Sequence, residues 1–188
     1  MAVTTWQIDP AHSTVQFSVK HMMFTTVRGR FTKFSGTIEA DAENPDRSRV
    51  TVEIDAATID TGVADRDGHL RSGDFLDVEK HPKMVFRSSR VDGAHASPGD
   101  RFKVAGTLEI RGQSLPVTLD ATFEGIGKDP WGNERAGFTA RAEIDRRDWG
   151  LQWNQALETG GLLVGNSVRI DIEAQAIRQQ PAGRTAVA

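Results

Sequence analysis

The run Phe102-Lys103-Val104-Ala105-Gly106-Thr107-Leu108-Glu109-Ile110-Arg111-Gly112-Gln113-Ser114-Leu115-Pro116-Val117-Thr118-Leu119-Asp120-Ala121-Thr122-Phe123 decides the fold. Its apolar phase holds Phe102, Val104, Gly106, Leu108 and Ile110, then Leu115, Val117, Leu119, Ala121 and Phe123. That is the period of two of a β-strand, where successive side chains point to opposite faces. Arg111-Gly112-Gln113 separates the two halves and reads as a tight hairpin turn. Each half has one greasy and one wet face, the pattern of an antiparallel pair laid over a core.

Outward from this hairpin the same pattern recurs. Val15, Phe17 and Val19 alternate with Thr14, Gln16, Ser18 and Lys20. A run over 30–40 follows, with a phase slip between Phe31 and Phe34 that predicts a β-bulge. Val50, Val52, Ile54 and Ala56 make another strand. Residues 83–91 are strand-like, without a readable inward face. Ala136, Phe138, Ala140, Ala142 and Ile144 form the next, and Val168, Ile170, Ile172 and Ala174 the last. Turn signals stand between them at Asn44-Pro45-Asp46, 92–100 and 127–133. About eight such strands can hide their apolar faces by closing into a barrel or packing as a sandwich. Antiparallel up-and-down order fits the short turns of this all-β chain, and eight strands would close a barrel just wide enough for side chains or one small ligand.

One segment breaks the pattern. Asp65-Arg66-Asp67-Gly68-His69-Leu70-Arg71-Ser72-Gly73-Asp74-Phe75-Leu76-Asp77 carries its apolar residues at helical spacing, so a short helical insert is expected around 62–80. Thr61 is placed to cap it, Gly73 to stop it in a left-handed conformation, and Asp67 and Arg71 to pair on its surface. Such an insert would be either a solvated surface helix or a polar lid over the mouth of the barrel.

Composition bounds the function. The 188 residues carry a net charge of −3 with both signs interspersed, so nothing asks for a nucleic-acid partner. There is no cysteine, hence no disulfide framework and no thiolate chemistry. No apolar run approaches the ~20 residues of a membrane helix. The start of the chain lacks a signal peptide pattern, so the expected location is cytoplasmic. One domain over 1–178 is expected, with 179–188 as a mobile tail.

The inward phase is rich in small residues: Gly36, Ala40, Ala56, Gly106, Ala121, Ala136, Ala140, Ala142 and Ala174. Interiors pack densely, so a barrel lined this way should keep a narrow apolar space. Such a slot suits a linear guest, each buried CH₂ contributing ~0.8 kcal/mol before ordering costs. In the competing account Trp149, Leu151, Trp153 and the insert plug it.

Catalytic signatures are absent: no Gly-x-Ser-x-Gly elbow, no His-Glu-x-x-His, no phosphate-binding loop. The five histidines are scattered without metal-ligand spacing. His21 continues the inward phase of Val15, Phe17 and Val19 and could hold a head group. His69, beside Arg66 and Arg71, could meet an anion.

Four blocks resemble the YceI-like family of lipocalin-like, polyisoprenoid-binding proteins. They are Trp6-x-Ile8-Asp9-Pro10-x-His12-Ser13 with Phe17-Ser18-Val19-Lys20-His21-Met22; Phe34-Ser35-Gly36; Asp65-Arg66-Asp67-x-His69-Leu70-Arg71-Ser72-x-Asp74-Phe75; and Trp149-Gly150-Leu151-x-Trp153-Asn154 followed by Gly160-Gly161-x-Leu163-Val164-Gly165. The resemblance implies an extended antiparallel lipocalin-like barrel around a long-chain apolar ligand: a polyisoprenoid, an isoprenoid quinone or a fatty-chain lipid. It implies binding, transport or storage rather than catalysis, no cofactor, and often a homodimer. On that basis Phe17, Val19, His21, Val52, Ile54, Phe86, Leu108, Phe138 and Trp153 are expected to line the cavity. The Arg and Asp residues of the Asp65–Phe75 block are expected to pair with strand ends and fix the lid. The alternative is an enzyme acting on a small amphiphile, with His21 or His69 as acid–base. A filled barrel acting as an interaction module is a third reading.

Overall fold

The quoted hairpin forms as read. In the computed structural model, which describes residues 3–95 and 97–181, Ile110 pairs with Gln113 across a two-residue turn. Arg111 and Gly112 both have positive φ there, the conformation whose twist matches the flanking strands. Chain order is β1 (Val3–Ile8), β2 (Thr14–His21), β3 (Thr25–Phe31), β4 (Phe34–Asp41), β5 (Arg49–Asp55), β6 (Ile59–Asp60), α1 (Ala64–Arg71), β7 (Lys83–Asp92), β8 (Arg101–Ile110), β9 (Gln113–Lys128), β10 (Glu134–Asp145) and β11 (Val164–Arg178).

All pairings are antiparallel, and the strands close in the order β1-β4-β5-β7-β8-β9-β10-β11 and back to β1. The result is an all-β barrel of eight strands. Three further strands are continuations. β2 follows β1 after a 3₁₀ turn at Pro10–His12, and both pair with β11. β3 precedes β4, split at Thr32-Lys33 where the sequence slips phase, and β6 follows β5 after a 3₁₀ turn at Ala56–Thr58. The β2–β3–β6 part therefore extends the wall beyond the ring. The register slip between Ser88 and Arg90 explains why 83–91 resists a phase assignment. Met84 and Phe86 point inward before it and Val91 after it.

One ion network braces the end where β9 turns into β10. Arg135 donates from Nε to Asp129 and from Nη1 to Asp9, each at 2.8 Å. Asp9 also caps the Pro10–His12 turn and meets His12. The hydrogen bond from Arg135, then that from His12, holds the Asp9 carboxyl down at about 2. A depressed carboxylate contributes stability that is full above its unfolded value near 4 and is lost as pH falls through about 2. Arg135→Met should therefore flatten the acid limb of a stability–pH curve in that window. An unchanged limb would show that the network contributes nothing.

Gln179 is tied down by its N–H to the Thr5 carbonyl at 2.8 Å, so the first tail residue continues the barrel edge. Residues 182–188 lie outside the described residues.

Candidate ligand cavity

A single elongated cavity of about 610 Å³ occupies the barrel. This is within the ~300–1,000 Å³ range of ligand pockets. Val164, Val168, Ile170, Ile172, Ala174 and Arg178 of β11 all face it, so it follows that strand from end to end, roughly 45 Å of chain at ~3.3 Å per residue. Among the small inward residues, Ala40, Ala121, Ala136, Ala140 and Ala174 border the space. Gly36 and Gly106 do not, because their room is already used. A Cβ on Gly36 would fall 2.6 Å from Ile8, and one on Gly106 2.8 Å from the Phe86 ring. Large side chains lean onto the glycines, and the alanine wall of β9, β10 and β11 keeps the slot open.

One end is closed. Leu70 of α1, Phe75 and Leu76 after it, and Leu151 fill the space between the strand ends. Trp149 packs in the same core and donates to the Leu108 carbonyl at 2.9 Å. The expected plug thus exists, but it fills only this end.

Polar contacts fix the plug. Asp67 is buried, and its Oδ1 accepts from the Thr61 N–H at 2.9 Å and from the Thr61 hydroxyl. Arg66 donates to the Thr61 carbonyl and hydroxyl, and Arg71 to the carbonyls of Ala57 and Ile59. Arg111 reaches from the β8–β9 turn to the Phe75 carbonyl at 3.0 Å. The block is tied to strand ends as the resemblance implied. Three details differ. Asp67 and Arg71 do not pair, because each has a better partner in the chain before the helix. Thr61 serves Asp67 rather than capping the helix, whose N-cap is Val63. The left-handed residue of this segment is Asp77, not Gly73.

The other end is the mouth. Ala42 of the β4–β5 connection, Arg49 at the start of β5, His95 of the β7–β8 loop, Ile126 and Arg178 border the cavity and are exposed. The helix therefore covers the end opposite the mouth, and is not a lid over it.

Seven of the nine expected lining residues meet in this cavity: Phe17 and Val19 from β2, Val52 and Ile54 from β5, Phe86 from β7, Leu108 from β8 and Phe138 from β10. His21 and Trp153 do not line it. His21 ends β2 at the turn into β3, paired with Val164 and Thr25. Trp153 lies behind the plug, its ring 5.4 Å from Phe75 and 4.6 Å edge-on to His69. His69 is held by Asp74 at 2.8 Å on that same outer side. Neither histidine of the catalytic alternative faces the cavity. Among the described residues no cluster of side chains could hold a metal ion, and no helix is long and apolar enough to cross a membrane.

Among the bordering residues outside the expected set, one is charged and buried. Arg146 is buried at the closed end and donates to the carbonyls of Gly165, Leu151, Trp153 and Val164. Burial pushes its guanidinium below the ordinary arginine value. Its signal was present: Arg146 continues the inward phase of Ala140, Ala142 and Ile144, where a charge is out of place.

Comparison with known proteins places these features. A family model described as YceI-like domain matches residues 6–176. A UPF0312 protein of Pectobacterium atrosepticum is 41% identical over 140 residues, covering 74% of this chain and 71% of that one. A UPF0312 protein of Staphylococcus epidermidis is 34% identical over 174 residues, covering 92% and 97%. Among solved structures, BcnA of Burkholderia cenocepacia superposes with a TM-score of 0.77 at 24% identity, covering 89% of this chain and 98% of that one. A polyisoprenoid binding domain from Saccharophagus degradans superposes with a TM-score of 0.72 at 16% identity, covering 95% and 100%. At these identities the two structures establish the fold.

Proposed function

Because this chain belongs to the YceI-like domain family, we propose that it binds a long-chain amphiphile, a polyisoprenoid or a similar lipid, inside its barrel. The role we propose is carriage or storage rather than catalysis. The observation that carries this reading is the shape of the cavity: narrow, walled by alanines and aromatics, shut at one end and open at the other. A linear apolar chain fills such a space, and its gross driving force grows with each methylene buried. Arg146 borders the closed end, and Arg49, His95 and Arg178 stand at the mouth, where they would meet a head group while the chain runs inward past Phe138, Phe86 and Phe17. The solved neighbour described as a polyisoprenoid binding domain supports the ligand class.

Native mass spectrometry of protein purified from its own host, followed by organic extraction, tests the proposal. A co-purifying long-chain lipid is expected, displaced by an added polyprenyl probe. Repeated recovery of empty protein that also ignores such probes would sink it.

A further inference from the structure

The β2–β3 hairpin carries an exposed apolar tip that the fold does not need. Met22 is 38% exposed, Met23 73%, Phe24 82%, and Leu162 beside them 42%. The last belongs to the 154–163 segment, which is held against the tip by the Met22 N–H to the Leu163 carbonyl at 2.8 Å. Met23 closes on the same segment, its sulfur 3.1 Å from where a Cβ on Gly161 would stand. The turn runs from the His21 carbonyl to the Phe24 N–H, and both its central residues have positive φ, 50° at Met22 and 64° at Met23. Asn-Gly occupies such positions comfortably, whereas residues with a long side chain are strained there, by ~1 kcal/mol or more each. The β8–β9 turn of the same barrel uses Arg111-Gly112 for this conformation. Here two methionines hold it and expose their side chains, and a phenylalanine follows. Stability and solubility are both given up for an apolar prong.

Next to the prong lies a cationic face. Across three strands, Arg169, Ser18 and Arg28 stand in one row, and Lys20 is two residues along β2 from Ser18. Lys20, Arg28 and Arg169 are all exposed. Among the described residues none of the three forms an ion pair; the acidic neighbours are Asp171, paired with Arg141 at 3.2 Å, and Glu143, which stands across the strand from Arg169 and accepts from the Ser167 hydroxyl. Three cations against the Glu143 carboxylate leave this face net positive beside exposed Met, Phe and Leu, on a chain whose net charge is −3.

We propose that this prong and face dock the protein on an anionic lipid bilayer, with Met22, Met23, Phe24 and Leu162 entering the interface and Lys20, Arg28 and Arg169 meeting the head groups. Apolar insertion plus basic attraction is the pairing that peripheral attachment requires. A second copy is the poorer occupant, since an isologous contact would bring the three cations onto their own kind. The prong also continues the cavity wall, because Val19 and Val164, which border the cavity, flank His21 directly below the turn. The proposal does not depend on what the cavity holds.

Flotation of the full chain with vesicles of phosphatidylcholine, with and without phosphatidylglycerol, tests it. Binding is expected to the anionic vesicles and to weaken with salt. Lys20→Glu and Arg28→Glu should each lower it at least about fivefold, the equivalent of ~1 kcal/mol per basic residue. Met22→Asn with Met23→Gly is the decisive variant, since it relieves the turn: its melting temperature should rise while vesicle binding falls about tenfold or more. Trp131→Ser, at the mouth end, should leave binding unchanged. Three results would overturn the proposal: no binding by the parent protein at low salt, equal binding by the turn variant, or a parent dimer that the turn variant converts to monomer.

Discussion

Ala140→Trp is expected to abolish uptake of a polyprenyl probe while leaving the barrel folded. Ala140 sits mid-wall on β10, and its cross-strand neighbours Ala121 and Ile172 also border the cavity. An indole placed there projects into the slot from its most open side. Overfilling a packed core usually costs ~1–3 kcal/mol. Ala140 borders the cavity rather than packed neighbours, so the ring buries apolar surface instead of displacing side chains, and the melting temperature should hold or rise. A linear guest then cannot pass the obstruction. Losing contact for even four methylenes, at ~0.8 kcal/mol each, corresponds to an affinity loss of about a hundredfold or more. Titration of the parent and variant with one fluorescent polyprenyl probe measures it. A variant that binds as well as the parent would mean that the guest lies elsewhere. A variant that unfolds would mean that Ala140 faces packed core, and Ala174→Phe on β11 would then repeat the test from the adjoining strand.

The barrel was legible because period-two alternation is a local signal and antiparallel neighbours are joined by short turns. Val15-Phe17-Val19 and the Phe102–Phe123 run say which face is inward without reference to anything distant. The inward phase also located most of the cavity wall. What it could not supply was occupancy of the space that small residues leave. Gly36 and Gly106 read as openings, yet Ile8 and Phe86 lie across them from other strands. That depends on side-chain direction over long sequence separation, which no window contains. The same limit explains His21. Its phase along β2 is correct and its cross-strand neighbour Val164 borders the cavity, but His21 is the last residue of the strand, at the turn into β3, and its side chain is not among those that line the space.

The helical insert shows the complementary failure. Spacing found the helix and the resemblance assigned its charges to anchoring, which the contacts of Asp67, Arg66 and Arg71 bear out. The i,i+4 rule then paired Asp67 with Arg71, since helix-surface pairs are the default for exposed helices. Asp67 is buried, however, and a buried carboxylate takes the nearest unpaired donors, here the Thr61 N–H and hydroxyl. Which end of the barrel the insert covers was likewise unreadable, because it depends on where β5 and β6 deliver the chain.

Arg146→Met should be the most destabilising of the substitutions considered, by about 2–4 kcal/mol. The guanidinium stitches the plug to the start of β11 through four carbonyls. That of Val164 keeps a second donor in Asn154, at 2.7 Å. Those of Leu151, buried, and Trp153, half-buried, lie in irregular chain and would lose this donor, at a cost of ~1–3 kcal/mol for the first and less for the second. Against this stands the desolvation of the cation, which burial already makes unfavourable and which methionine removes. The carbonyls outweigh it, because a guanidinium with most of its N–H groups bonded is poorly replaced by a thioether with none. Lysine should recover only part of the loss, since one compact ammonium cannot span acceptors set by a planar fork. Denaturant unfolding gives the ranking parent, then Arg146→Lys, then Arg146→Met, and amide exchange should rise first over 151–165. If methionine left stability unchanged or raised it, the buried charge would be a burden the fold tolerates, and the closed end would rest on Phe75, Leu76 and Leu151 alone.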